Sequence, residues 1–336
     1  MIDLKHLYKK ICYKFNCPYR PLRLNFELTD YCNLRCPTCS KWKQTPSKTD
    51  LSKEQWQKIA NKLKGFALSP LVTLSGGEPF SRKDIFDIIG YIVNAKLQPV
   101  IISNGTLLDS DKIKRLQQYP IRQITLSLNG VKATTHEPTR GVKGCFEKTF
   151  KSLEMLAETE IPIVIETILM NPNMGEIIEL VKLAQIKNIK GIVFQVLTAS
   201  NVHNIFDDAE NRIPAEQWYN TDPLWINDTK AFESIVDELI KMKQEGFPII
   251  NSVEQMRYFP VYFKNQSAIA KLPCMSGIGN FMVDPYGQVR LCYSFASIGN
   301  ILEQDPRKIW HSKAAKEARK KTRTCKATCR ILNYTW

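Results

Sequence analysis

The chain has 336 residues, 43% of them hydrophobic and 24% charged, which excludes a disordered chain and provides one large core or a core plus a small domain. Lys and Arg number 47 against 33 Asp and Glu, a formal balance of +14 that permits nucleic acid, anionic substrates, acidic proteins or an anionic membrane surface and selects none of them. No apolar run reaches the roughly 18 residues of a membrane span, and Met1-Ile2-Asp3-Leu4-Lys5-His6 lacks a signal-peptide pattern, so a cytoplasmic protein without a transmembrane segment is expected.

Residues 1–20 are basic and aromatic and read as a short helix and lead-in carrying Cys12 and Cys17. Strands are predicted over 22–28, 71–75, 98–103, 121–128, 162–169 and 190–196. Helical patterns fill the gaps at 52–64, 84–95, 110–117, 146–159 and 174–186. Strand followed by helix, six times over, predicts an α/β fold with a parallel sheet covered by helices. Right-handed crossovers curl such a sheet into a partial (β/α)6 barrel; an open doubly wound sheet is the alternative. After residue 200 the rhythm weakens. Residues 201–227 read as a loop with Trp218, Tyr219 and Trp225, and a charged helix is predicted over 229–244. Glycines punctuate short alternating pieces over 270–300, including a hairpin at Gly287, and a basic helix is predicted over 306–323. The expected organisation is a lead-in (1–20), a partial barrel (21–228), a linking helical segment (229–264) and a small C-terminal domain (265–336).

Ten cysteines are too sparse for a small disulfide scaffold, so their spacing decides their role. Cys32, Cys36 and Cys39 fall within eight residues directly after the first strand. Three thiolates from one loop suit a tetrahedral zinc site or an iron–sulfur cluster. Zinc would need a fourth ligand, and no His lies nearby in sequence. A [4Fe–4S] cluster on three thiolates keeps one iron open for a further ligand.

The C-x₃-C-x₂-C spacing, with Leu24 to Leu34 around it, resembles the radical S-adenosylmethionine superfamily. Thr38 stands where that family often has an aromatic residue. The resemblance implies that Cys32, Cys36 and Cys39 hold a catalytic [4Fe–4S] cluster and that S-adenosyl-L-methionine is cleaved to a 5′-deoxyadenosyl radical. It further implies that Gly76, Gly77, Glu78 and Pro79, ending the second strand, receive the amino group of the methionine moiety. Ser103 and Asn104, ending the third strand, and Ser127 and Asn129, ending the fourth, would line the same rim; Asn129 replaces a frequent Asp. Arg140, expected in the following loop, resembles the residue that meets the cofactor carboxylate. Glu166, inside the fifth strand, faces cofactor or substrate, or pairs with a Lys. Active sites of such barrels gather at the C-terminal strand ends.

Cys274, Cys292, Cys325 and Cys329 resemble a shortened version of the auxiliary-cluster extension, of SPASM or twitch type. Four thiolates would saturate one further [4Fe–4S] cluster, which suits electron transfer; zinc fits the bare count equally well. Cys12, Cys17 and Cys145 match no pattern. The expected activity is an oxidoreductase that abstracts a substrate hydrogen and completes a net oxidation through the auxiliary cluster. A sugar or aminocyclitol alcohol is the favoured substrate, and a peptide oxidised or crosslinked at a side chain is the alternative. An acidic electron donor such as flavodoxin or ferredoxin is the expected partner. A nucleic-acid-binding protein with structural metal sites is the alternative of a different class, supported by the charge and by Lys41-Trp42-Lys43; the strand-end motifs argue against stable nucleic-acid binding.

Overall fold

A computed structural model describes residues 4–15, 18–43, 49–187, 189–198, 219 and 222–333. Six strands form the parallel part of one sheet: β1 (Arg23–Thr29), β2 (Leu71–Gly76), β3 (Gln98–Ser103), β4 (Gln123–Ser127), β5 (Ile163–Leu169) and β6 (Gly191–Val196). Each pairs with its sequence neighbour in parallel, as strand–helix repeats with right-handed crossovers require. The expected α/β partial barrel is therefore what the chain forms.

The barrel core follows from strand alternation. Leu24, Phe26 and Leu28 of β1 are fully buried, and Phe26 lies 5.2 Å from Trp56 on the helix Lys53–Leu63. Burying a side chain of this size contributes about 1.5–3 kcal/mol. That helix starts sharply because Ser52 and Gln55 form a reciprocal capping box.

The C-terminal region does not build a sheet of its own. Strand β7 (Asn280–Val283) pairs in parallel with β1, and β8 (Gln288–Arg290) and β9 (Gly299–Asn300) continue antiparallel from it, giving the order β6-β5-β4-β3-β2-β1-β7-β8-β9. The hairpin turns at Gly287, whose φ of 82° favours glycine. The region's apolar side chains, among them Phe281, Val289 and Trp310, join the main core, and two buried arginines tie its backbone. Arg319 donates to Gly277 O and Trp310 O and stacks 4.2 Å from the Trp310 ring. Arg330 donates to Leu272 O, Thr322 O, Arg323 O and Cys325 O.

Several elements depart from expectation. The basic helix is two helices, Pro306–Trp310 and Lys313–Thr324, because Ser312 caps a fresh start by accepting from Ala315 N–H. The segment before α-helix Ile177–Ile186 is a tighter 3-10 turn, Asn171–Glu176. Residues Ala133–Arg140 are helical although Thr134, Thr135 and Pro138 are poor helix formers. Trp225 is buried against Tyr262 and Phe263 and belongs to the core. Trp218 and Cys17 lie outside the described residues. Among the described residues no helix is long and apolar enough to cross a membrane.

Candidate active site

The strand ends converge on the loop after β1. Gly77 N–H donates to Thr29 O at 2.7 Å and Glu78 N–H to Tyr31 O at 2.8 Å. A Cβ on Gly77 would lie 2.0 Å from Tyr31 O, and one on Gly76, where φ is 120°, 2.4 Å from Thr29 O. The backbone that comes close to these glycines is thus the start of the cysteine loop itself. Pro79 is buried and opens a short 3-10 turn.

Glu78 is only 1% exposed. Its carboxylate accepts from Phe80 N–H at 3.1 Å, Ser103 Oγ at 2.8 Å and Asn104 N–H at 2.8 Å. Burial pushes its pKa up to about 7, opposed by these bonds. All three partners are donors, so they favour the ionised form, and Glu78 ties the ends of β2 and β3 together. Asn104 reaches the cysteine loop, donating to Asn33 Oδ1 at 2.9 Å with Cys32 Sγ at 3.9 Å.

Cys36 is buried, and Cys32 and Cys39 are half-buried. The Cys36 carbonyl accepts from Trp42 Nε1 and from Cys39 N–H. Burial raises the Cys39 thiol and pushes Cys32 up to about 11. Left alone, such thiols stay protonated; a bound cationic metal group reverses that. Cys145, unassigned from sequence, packs beside Leu34 and Cys36.

Arg140 sits at the end of a helix, not in the expected loop. Its carbonyl accepts from Arg35 N–H at 3.0 Å, and a Cβ on Gly141, where φ is 69°, would lie 2.2 Å from Arg35 O. The helix end is thereby clamped to the cysteine loop. Arg140 Nη1 lies 4.0 Å from Cys36 Sγ, while buried Nε and Nη2 have no partner among the described residues. Orphaned buried guanidinium donors are costly without an acceptor, so the residue fits an anionic group arriving beside Cys36.

Asn129 is fully buried, with Nδ2 donating to Thr139 Oγ1 and Oδ1 accepting from Ile168 N–H. The structure directs it to protein partners. Ser127 pairs in register with Glu166. Burial raises the Glu166 carboxyl and nearby Arg140 lowers it, while Gln195 Nε2 donates to Oε1. No Lys pairs with it in the described salt bridges.

Cys274, Cys292, Cys325 and Cys329 come together from three segments. Burial first, then Cys292, Cys274 and Cys325, raise the Cys329 thiol. Burial also pushes Cys292 up to about 11, with Cys274 and Cys325 adding to it. Arg330 opposes the rise at Cys274 and Cys329, and its Nε–H has no partner among the described residues. These thiols, like the first three, fit a cationic cluster. Among the described residues, no group of three or more His, Cys, Asp or Glu side chains is drawn tightly enough for a single metal ion. Tyr293, next to Cys292, is 43% exposed, and the auxiliary segment meets the barrel through β7, which pairs with β1.

One network escaped the sequence reading. Lys41 donates to Glu27 at 3.1 Å and Asp30 at 2.7 Å, and Tyr286 OH donates to Asp30 Oδ2 at 2.9 Å. Burial opposes the Lys41 charge, but the two carboxylates outweigh it and raise its pKa. Lys41 was legible only as part of a basic aromatic run; a Glu inside β1 was the signal that a buried cation was needed.

A parallel barrel with three thiols at one strand end and four more beside its mouth defines an iron–sulfur radical enzyme. The chain is a radical SAM superfamily protein with a C-terminal SPASM auxiliary iron–sulfur domain: the superfamily model matches residues 26–184 and the iron–sulfur cluster-binding domain residues 274–330. It uses S-adenosylmethionine and one or more iron–sulfur clusters, and acts as an oxidoreductase through cofactor cleavage and radical chemistry.

Its relatives include an AdoMet-dependent heme synthase of Methanosarcina barkeri, 28% identical over 94% of this chain and 89% of that protein. The antilisterial bacteriocin subtilosin biosynthesis protein AlbA of Bacillus subtilis is 25% identical over 87% of this chain and 60% of its own length. The fold is similar to that of Streptococcus suis SuiB bound to precursor peptide SuiA, with a TM-score of 0.66 at 16% identity, covering 93% of this chain and 69% of SuiB.

Proposed function

We propose that the enzyme oxidises or crosslinks a side chain of a peptide. The observation that carries this reading is the similarity to a bacteriocin biosynthesis protein through both the barrel and the C-terminal region. It displaces the sugar or aminocyclitol alcohol favoured from sequence. Cys32, Cys36 and Cys39 hold the first cluster, and Cys274, Cys292, Cys325 and Cys329 the auxiliary one. When bound, the clusters and S-adenosylmethionine supply one-electron cleavage of the sulfonium and removal of a substrate hydrogen. Arg140 receives the cofactor carboxylate with its free donors, and Glu78 fixes the rim formed by the ends of β2 and β3. Glu166, held by Gln195, orients the substrate at the strand ends, and the auxiliary segment roofs the opening.

A second reading, action on a tetrapyrrole in heme synthesis, is favoured by the near full-length match to a heme synthase and by the +14 charge, which suits an anionic substrate. The test is anaerobic reconstitution, reduction, and mass spectrometry of both candidates. A genomically adjacent precursor peptide that loses two hydrogens in step with 5′-deoxyadenosine formation supports the first reading. A change in the mass of an iron porphyrin in step with 5′-deoxyadenosine formation, with the peptide unchanged, supports the second and overturns the first.

A further inference from the structure

Arg330 is a buried cation that lacks a carboxylate. It is 4% exposed, and among the described residues no Asp or Glu pairs with it. Its Nη groups donate to Leu272 O at 2.6 Å, Thr322 O at 3.1 Å, Arg323 O at 3.0 Å and Cys325 O, while buried Nε has no partner among the described residues. Carbonyl oxygens satisfy N–H groups but bring no net charge, so the cation stays uncompensated in a desolvated place, which is costly. Lys41 is treated differently: it meets both Glu27 and Asp30.

The sequence withholds acids from this region. The four auxiliary cysteines lie in the stretches 255–283, 285–302 and 318–336, none of which holds an Asp or Glu. Arg330 follows Cys329 directly, bonds the Cys325 carbonyl and, through Leu272 O, holds the backbone two residues before Cys274. One guanidinium therefore ties the chain beside three of the four thiols. An iron–sulfur core on four thiolates is anionic overall and becomes more so when reduced, and its net charge helps set its potential. We propose that Arg330 is the counter-charge of the auxiliary centre and raises its reduction potential by favouring the reduced, more anionic state. It acts through the cluster, as a positioning residue. This assignment rests on those four cysteines holding a cluster, as the proposed function has it. On reduction one electron enters the centre, from the substrate radical in turnover or from dithionite in a titration. No atom is transferred, and the guanidinium keeps its proton.

The test reads the auxiliary centre alone, in the full chain carrying Cys36→Ser, reconstituted anaerobically and titrated with dithionite while electron paramagnetic resonance follows the reduced cluster. Arg330→Gln removes the charge, and Arg330→Lys keeps it with fewer donors. Arg319→Gln breaks the ties to Gly277 O and Trp310 O but leaves Arg330 in place. Arg330→Gln should shift the one-electron equilibrium about tenfold toward the oxidised centre, a midpoint about 59 mV lower. Arg330→Lys and Arg319→Gln should assemble about four irons per chain and keep the starting midpoint. Loss of iron from Arg330→Gln alone supports the proposal equally, because the anionic cluster then fails to assemble without its counter-charge. An unshifted midpoint in Arg330→Gln overturns it. So does a shift or iron loss in Arg330→Lys or Arg319→Gln equal to that in Arg330→Gln, which is what a merely structural tie gives. Iron missing from the Cys36→Ser chain itself overturns the cluster assignment and the proposal with it, whereas four irons with an unshifted midpoint overturns this inference alone.

Discussion

The two cysteine sites are built in opposite ways. The barrel triplet comes from one turn after β1, held by the bond from Cys39 N–H to Cys36 O and by backbone bonds to Gly77, Glu78 and Arg140. The auxiliary four span Cys274 to Cys329 and meet only because β7 joins the edge of β1 and because Arg319 and Arg330 pin the carbonyls between them. A site from one loop has its ligands close in sequence, and only the neighbouring strand ends and the Arg140 helix end are needed to fix it. A site from three segments needs the whole C-terminal region folded first, and closing those longer loops costs chain entropy. The barrel site is therefore the more local and the auxiliary site the more cooperative.

Cysteine substitutions test this most severely. Cys36→Ser should abolish 5′-deoxyadenosine formation and lower iron from about eight to about four per chain, if each site holds one [4Fe–4S] cluster. Cys292→Ser should lower iron by the same amount but leave 5′-deoxyadenosine formation measurable while substrate oxidation is lost. Equal loss of deoxyadenosine in both variants would break the contrast.

Acid distinguishes the two ends next. His136 is fully buried, and its Nδ1 accepts from Asn129 N–H at 3.2 Å. Burial, aided by Arg140, depresses its pKa from 6.5 to about 3. Its contribution to stability is therefore present above pH 6.5 and lost as pH falls toward 3, amounting to about 2 kcal/mol between pH 7.5 and 5. His136→Gln should flatten the urea midpoint over that interval. An unchanged slope would show that the barrel end owes its acid sensitivity to other groups.

The smallest expected effect lies at the joint between the sites. Tyr286→Phe removes the hydrogen bond to Asp30 but leaves Lys41 in place, and should cost about 1 kcal/mol in thermal unfolding. Deoxyadenosine formation should be nearly unaffected. A large loss of activity would show that the hairpin positions the catalytic loop more tightly than one hydrogen bond implies.

Much of this was legible beforehand because it is periodic or local. Strand β3 falls on the expected 98–103 and ends on Ser103, and the cysteine triplet and Glu78 follow the ends of β1 and β2. The helix Ala133–Arg140 was not legible: its residues disfavour helix, and contacts such as Thr139 with Asn129 hold it. The same limit hid the buried donors of Arg140 and the Lys41 network, whose members come from β1, the cysteine loop and the distant hairpin.

By itself the sequence determined the parallel α/β rhythm and both groups of thiols, because hydrophobic period and ligand spacing act over a few residues. Only the tertiary structure decided that β7 extends the barrel sheet and that Asn129 turns to protein partners. It also decided that Arg140 waits beside Cys36 with donors unfilled. Those outcomes depend on which distant groups share one desolvated space, where unmet polar groups are costly, and sequence separation does not encode that.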